Sequence, residues 1–375
     1  MTKNNRMTSV SSVRLRYARE YYGLSIDQVS QKAKSIKPAD LLRYEEGADF
    51  PTYSKLELLA HVYRRPMLYF FFKTQPQDEE LITAFRSVEK EIGPHLDMQI
   101  RVMMEKASLY RLNIAELFGK QEQPKFTLKL EESNVKSDIS LSAWLRDALA
   151  LPLEKQKQYK KAEFLVEDLR EKLFNIGIYV FKDSFRANDV SGICLYDELF
   201  PVILLNNKTS FTRQLFTIFH EIYHLYCKET DVYLPKLNEE TACNRFAGEF
   251  LIPTADLQKR LEGVNSFHDM KLIESLADEY TVSRTAMAYR LKSCNKISPS
   301  FYLSVQDDGI RRMNTESSGG NFYYTRLSYL GKPYVKRVFS DYYAGIINIS
   351  AVAKYTGLKT AHISTLSSFM FGGEY

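Results

Sequence analysis

The most constraining feature of the sequence is the run His220-Glu221-Ile222-Tyr223-His224, which lies in an apolar stretch without glycine or proline. In an α-helix, residues four apart lie about 40° apart around the axis, with their β-carbons roughly 6 Å apart. Two imidazoles at this spacing can therefore bind one metal ion at about 2.0–2.1 Å. Glu221 is turned away from the pair but can reach a metal-bound water, which is the place of the general base in a zinc hydrolase. The alternative is that both histidines are core residues satisfied by hydrogen bonds.

A second stretch, residues 240–253, offers the third protein ligand that a catalytic zinc ion needs. Its apolar residues recur at helical spacing and Pro253 ends the pattern, so we expect a helix here. Glu240 lies at the start of this helix and can bring its carboxylate to the metal, which would complete a His₂Glu site. Glu239 competes for the same role, and a solvated carboxylate at the helix start is the alternative interpretation of Glu240.

The residues around these motifs form a more specific pattern. The first motif reads Phe216-Thr217-x-x-His220-Glu221-x-x-His224, and the second reads Glu240-x-x-Cys-Asn244-Arg-Phe246-Ala247-x-x-Phe-Leu251-x-Pro253. Over about residues 160–300 the chain resembles the ImmA/IrrE family of bacterial and phage metallopeptidases, with Gly248 where the family more often has alanine. The resemblance implies a thermolysin-like site in which His220, His224 and Glu240 bind Zn²⁺ and Glu221 is the catalytic base. It also implies an endopeptidase that cleaves a helix-turn-helix repressor and so switches on the genes that the repressor held off.

The same ligands would also suit a transcription regulator whose metal domain is a sensor or a structural module and cuts nothing. An open fourth coordination position favours the enzyme, whereas a position closed by a residue such as Cys227 favours a structural metal. Helical spacing brings both Cys227 and Cys243 near the predicted ligands, as thiolate ligands or as an oxidant-sensitive pair. The commoner role of such cysteines is that of small buried hydrophobic residues.

Residues 10–72 predict short helices over 10–22, 26–33, 38–46 and 53–63, separated by tight turns. With Tyr44-Glu45-x-Gly47 and Pro51-Thr52 in that order, this segment resembles the Cro/cI-like helix-turn-helix domain, although its turn lacks the usual glycine. By that resemblance the third helix is the recognition helix and carries Lys37, Ala39, Asp40 and Arg43 outward. Residues 1–73 are basic while the rest of the chain is near neutral, which supports contact with DNA. The alternative is a helix-turn-helix fold used for protein contact, such as dimerisation or binding of a repressor.

The remaining patterns define the expected architecture. We predict a mainly α protein with a small β-sheet (α+β), the strands lying over 176–181, 192–196 and 201–206. The expected domains are a five-helix helix-turn-helix domain (1–75), a helical linker (76–165), a zincin-like metallopeptidase domain (166–300) and a small C-terminal α/β segment (301–375). The C-terminal segment includes a strand over 322–327, and residues 121–138 form a polar connection.

The composition bounds the cellular setting. Four scattered cysteines do not form a disulfide pattern, the first residues lack the apolar core of a signal peptide, and no apolar run approaches the about 18 residues that cross a membrane. We therefore expect a cytoplasmic protein whose partners are DNA, a repressor substrate and, in one arrangement, a second copy of the chain, with no membrane contact.

Overall fold

The computed structural model describes residues 6–72, 98–119, 137–185, 190–227, 237–264, 266–312 and 321–371. The chain divides into two compact units, residues 1–105 and 106–375. The described part is mainly helical with one three-stranded sheet, which confirms the predicted α+β class. None of its helices combines the length and apolar character needed to cross a bilayer. Most of the predicted polar connection over 121–138, namely residues 121–136, lies outside the described residues.

The first unit is a cluster of short helices. It contains α1 (Ser12–Tyr21), α2 (Ile26–Lys32), α3 (Pro38–Glu45), α4 (Tyr53–Val62), a 3₁₀ helix (Met67–Phe71) and the first part of α5 (Met98–Phe118). Polar side chains fix where the helices begin: Ser11 caps α1, Ser25 forms a capping box with Gln28, and Thr52 caps α4. The buried carboxylate of Glu45 is held by Arg19, whose Nε and Nη2 each donate to it at 2.8 Å.

The second unit carries the sheet and all the remaining elements. In chain order these are the rest of α5, α6 (Asp138–Ala148), α7 (Leu153–Lys157), α8 (Ala162–Asn175), β1 (Tyr179–Asp183), β2 (Gly192–Leu195), β3 (Val202–Asn206), α9 (Phe211–Tyr226), α10 (Leu237–Leu251), α11 (Thr254–Arg260), α12 (Met270–Tyr280), α13 (Arg284–Ser293), α14 (Pro299–Arg312), α15 (Phe322–Leu330), α16 (Lys332–Tyr343), α17 (Ile349–Thr356), a 3₁₀ helix (Thr360–His362) and α18 (Ile363–Phe371). One hydrophobic core joins α6, α8, the sheet, α9, α10, α12 and α13.

The sheet has the order β1-β3-β2, with β3 parallel to β1 and antiparallel to β2. All residues of β2 and β3 are buried, as expected for short apolar strands covered on both faces. α9 packs against β2 and β3. At Gly192 the approach is so close that a β-carbon would lie 2.7 Å from Cγ2 of Thr217 on α9. The absence of a side chain at this position therefore allows α9 to lie against the sheet.

The predicted strand over 322–327 is wrong, and with it the α/β character of the C-terminal segment. These residues form α15, and every element described after residue 298 is helical. Asn321 caps α15 by accepting a hydrogen bond from the backbone N–H of Tyr323 at 2.8 Å. The buried residues of α15, Leu327 and Leu330, are three positions apart, which is helical spacing. Aromatic residues favour strands by propensity, but here the cap and the packing of one helix face decide the structure.

Candidate metal centre

α9 carries the first motif, and its sequence explains why it is helical. Ser210 accepts a hydrogen bond from the backbone N–H of Arg213 and so begins the helix, and no glycine or proline interrupts it. Its apolar residues lie on one broad face and are buried in the core. His220 is half-buried at the rim of this face, and His224 is buried one turn later.

α10 faces α9 across a stacked aromatic contact. The rings of Phe219 and Phe250 lie 3.8 Å apart, and those of Tyr223 and Phe246 lie 5.3 Å apart. These contacts fix the two helices relative to each other at the level of the histidines. At Gly248 on α10, a β-carbon would meet Arg290 Cδ at an ordinary 3.8 Å, so the helix would accept an alanine there without rearrangement.

Three of the predicted ligands converge. His220 Nε2 lies 3.3 Å from His224 Nε2 and 3.3 Å from Glu240 Oε2, and His224 Nε2 lies 3.4 Å from Glu240 Oε1. Ligand atoms placed tetrahedrally at zinc–nitrogen distances lie about 3.3–3.4 Å from one another. The spacing of these donors is therefore that of three corners of a tetrahedral site. The side chain of Glu239, the competing ligand, lies outside the described residues.

A fourth donor, the thiol of Cys243, lies beside this cluster. Its Sγ is 3.3 Å from His224 Nε2, and Sγ and the two histidine nitrogens all lie within 4.8 Å of one another. Cys243 follows Glu240 by three residues and therefore lies on the same side of α10. Cys227, in contrast, is exposed just after the end of α9. Of the two cysteines that the sequence brings near the ligands, the structure puts only Cys243 in the cluster.

Asn244 is not among the predicted site residues, but it orients a predicted ligand. Nδ1 of His220 donates to Oδ1 of Asn244 over 3.1 Å, and Nε2 of the same ring is turned towards Glu240. Metal-bound histidines commonly donate their second ring N–H to such an acceptor, which fixes the tautomer and the ring plane. The signal in the sequence is that Asn244 follows Glu240 by four residues, the same spacing as the two histidines.

The electrostatics of the cluster favour a bound cation. Hydrogen bonds from His220 and His224 lower the pKa of Glu240 to about 2, so its carboxylate is charged at neutral pH. Burial lowers the pKa of His220, but the hydrogen bond to Glu240 and the nearby charge of Glu221 outweigh it, and the pKa lies above its usual value. Burial raises the pKa of the Cys243 thiol. A divalent cation would compensate the buried negative charge and need neither histidine to be protonated.

Glu221 follows His220 directly on α9 and is 2% exposed. It lies close enough for its charge to raise the pKa of His220. Its carboxylate therefore lies beside the predicted ligands, where the sequence predicts the general base.

The predicted DNA contacts lie in the first unit, on α3 and at its cap. Lys37, Ala39 and Arg43 are all exposed. Arg43 is within 3.5 Å of Asp49, and Asp40 is paired with Lys55 at 3.2 Å. The charge of Asp40, which would repel phosphate, is therefore partly neutralised by a lysine from α4.

One comparison with known proteins covers the part of the chain that contains the metal cluster. The curated proteins and the solved structures give no significant match to the chain. Residues 175–292, which include the three strands, both helices of the metal cluster, α11 and α12, match the family model described as Peptidase_M78, the IrrE N-terminal-like domain.

Proposed function

We propose that the chain is a zinc-dependent endopeptidase whose ligands are His220, His224 and Glu240. One observation carries the proposal: the three donors are spaced as corners of a tetrahedral zinc site, with Glu221 buried next to them. The match of residues 175–292 to a peptidase family supports hydrolysis of peptide bonds over other zinc chemistry.

The residues divide the work of hydrolysis. Zinc in such a site supplies Lewis acidity, which lowers the pKa of water to about 7 and polarises a carbonyl group. The Glu221 carboxylate accepts a proton from the attacking water and then donates it to the amine that leaves. Asn244 holds the His220 ring in the orientation that presents Nε2. β2 lies at an edge of the sheet and touches α9 at Gly192, so a substrate in extended conformation can bind there as an added strand.

The proposed substrate is a helix-turn-helix repressor. Both the ImmA/IrrE-like motifs and the N-terminal helices, which resemble a repressor domain, support this choice. Cleavage of the repressor would derepress its genes and make the chain a transcriptional regulator.

The test is cleavage of the repressor encoded beside this gene by the zinc-loaded full chain, compared with Glu221→Gln. We expect the variant to retain one zinc per chain and to lose at least about 100-fold in kcat, because only the proton acceptor is removed. Glu262→Gln, at an exposed position after α11, is the matched control. Equal rates for Glu221→Gln and the wild type would refute the mechanism.

DNA binding by the first unit is a further part of the proposal, supported by the exposure of Lys37, Ala39 and Arg43 and by the Lys55–Asp40 pair. A gel shift of the full chain on the DNA upstream of the gene tests it. The double variant Lys37→Ala, Arg43→Ala should bind more weakly and with a shallower salt dependence, by about one unit of slope for each phosphate that is no longer neutralised. An unchanged gel shift would leave protein contact as the role of this unit.

The position of Cys243 supports a second candidate, a sensor or structural metal module that cuts nothing. If its thiolate occupies the fourth corner, the site is closed to water. Cobalt substitution separates the two, because a thiolate ligand adds a sulfur-to-metal charge-transfer band that nitrogen and oxygen ligands lack. A band in the wild type that disappears in Cys243→Ser, but not in Cys194→Ser, supports the closed site, whereas its absence supports the peptidase.

A further inference from the structure

A cavity of about 250 Å³ opens beside the metal cluster within the second unit. Its wall includes Asn244, which accepts the hydrogen bond of His220, and Phe216, whose ring centre lies 6.5 Å from that of His220. Sites for drug-sized ligands are usually about 300–1,000 Å³, so this cavity has the size for one side chain of a larger ligand. A peptide bound at the metal would therefore direct a side chain near the scissile bond into it.

The chemistry of the wall is mixed, with one charge. Phe216, Tyr289 and Tyr302 contribute aromatic rings, and Arg213 is the only charged residue among the described residues that line the cavity. The rings can pack on the methylene groups of a bound side chain, and the guanidinium can pair with a negative group. The wall therefore favours a side chain with a short aliphatic stem and an acidic end.

Arg213 is held in place for this role. Its Nε donates to Ser191 Oγ at 2.8 Å, just before β2, which leaves the two terminal nitrogens for a ligand. Arg213 lies at an exposed position on α9 and lines the cavity together with Tyr302. Within the described part of the chain, no carboxylate forms an ion pair with Arg213. An arginine with one fixed nitrogen and two remaining donors is suited to a carboxylate.

We propose that this cavity binds a carboxylate of the peptide substrate, namely the side chain of a Glu or Asp next to the scissile bond, through Arg213. This inference rests on the proposed peptidase function and names the substrate residue that the peptidase selects. A free C-terminal carboxylate has the same chemistry and would make the protein a carboxypeptidase instead, so the experiment distinguishes the two sources.

The experiment measures binding rather than cleavage, so that it does not depend on the natural substrate. The probes are short peptide hydroxamates, which anchor on a zinc ion with an open position, with Glu, Gln, Lys or Leu on either side of the hydroxamate. The Leu series is made with amidated and with free C-termini. Dissociation constants are measured on the zinc-loaded full chain and on Arg213→Gln, Arg213→Glu and Lys292→Gln. The last removes a charge that lies 4.8 Å from the centre of the Tyr302 ring but does not line the cavity.

We expect the Glu hydroxamate to bind the wild type roughly 5-fold more tightly than the Gln hydroxamate, as for an ion pair with a solvent-exposed arginine. Arg213→Gln should abolish the preference, Arg213→Glu should reverse it towards Lys, and Lys292→Gln should keep it. Equal affinities for the Glu and Gln probes overturn the inference and leave the peptidase proposal intact. If the free C-terminus binds more tightly than the amidated one and Glu is not preferred, the cavity binds a terminal carboxylate. That result overturns the assignment to a side chain. Failure of every hydroxamate to bind a zinc-loaded chain shows that the metal has no open position, and both proposals fail together.

Discussion

Two buried polar clusters in the second unit differ in whether they contain their own positive charges. Around Arg170, opposite charges satisfy one another: Glu167 Oε1 lies 2.7 Å from Lys182 Nζ and 3.1 Å from Arg170 Nη1. Arg170 also donates to the carbonyl oxygens of Val180, Ser328 and Tyr329. Around His220, the converging groups are two imidazoles, a carboxylate and a thiol, all of which offer lone pairs when unprotonated.

The difference separates a structural network from a binding site. The Arg170 cluster contains its own cations, so folding alone completes it, and its role is to join α8 to the sheet and to the end of α15. Among the described residues, the converging groups around His220 include no lysine or arginine, and a bound metal ion would supply the positive charge without protonation of either histidine. Burial of polar groups alone therefore does not indicate a metal site. A buried cluster made up of metal donors does indicate one.

The largest effect is expected from removal of one metal donor. His224→Ala should lose stoichiometric zinc, with an affinity loss greater than the roughly 10–100-fold that an outer-shell residue causes. A chelator should lower the Tm of the wild type and leave that of His224→Ala unchanged, because only the wild type is stabilised by bound metal. Metal analysis after dialysis and thermal unfolding measure both effects. If His224→Ala retains one zinc per chain with unchanged affinity, the His220 cluster is not a metal site and does not differ in role from the Arg170 cluster.

Breaking the other cluster should act on stability and not on metal. Glu167→Gln leaves Lys182, with 0% of its side chain exposed, and Arg170, with 2% exposed, without their carboxylate. We expect a loss of about 3 kcal/mol in the free energy of unfolding, measured with denaturant on the zinc-free protein. The zinc content of the zinc-loaded variant should equal that of the wild type. Glu171→Gln, at an exposed position on the same helix, is the control. A change in zinc content without a change in stability would contradict the assignment of the two roles.

The acceptor behind His220 should have an intermediate effect. Asn244→Ala should weaken zinc binding by about 10–100-fold, because the ring no longer has the partner that fixes its tautomer. Asn244→Asp retains an oxygen acceptor and should recover most of the affinity. Competition with a chromogenic chelator gives the values. If Asn244→Ala binds zinc as tightly as the wild type, the hydrogen bond is only structural.

The smallest effect concerns pH. Burial lowers the pKa of Lys182 to about 8, below its unfolded value, so the unfolded chain binds the proton more tightly. The contribution of Lys182 to stability therefore rises with pH from about 8 towards the unfolded pKa. Relative to Lys182→Met, the wild type should gain about 1 kcal/mol between about pH 8 and pH 9, measured as the free energy of unfolding at each pH. A constant difference across that range would show that Lys182 keeps its usual pKa.

The sequence predicts the metal cluster better than its surroundings, for a physical reason. The two motifs are local: His220 and His224 share one helix face, and the apolar residues that bury this face lie in the same stretch. The contact between Asn244 and His220 depends on how α10 packs against α9, which no single segment encodes. The same packing decides that Cys243, and not Cys227, reaches His224. The error at 322–327 has the same origin, because the strand propensity of its aromatic residues yields to helix packing.

Gly192 constrains the position of α9 relative to the sheet, although it is not itself a ligand or a catalytic residue. Since Thr217 lies one turn before His220 on α9, its contact with this glycine sets how far His220 stands from the sheet. Even one added methyl group would have to displace Thr217 or the strand, although it would touch neither zinc nor peptide. In the proposed peptidase, the alignment of the metal ligands with a substrate strand bound at β2 therefore depends on Gly192. A search for variants with altered activity should include this position as well as the motif.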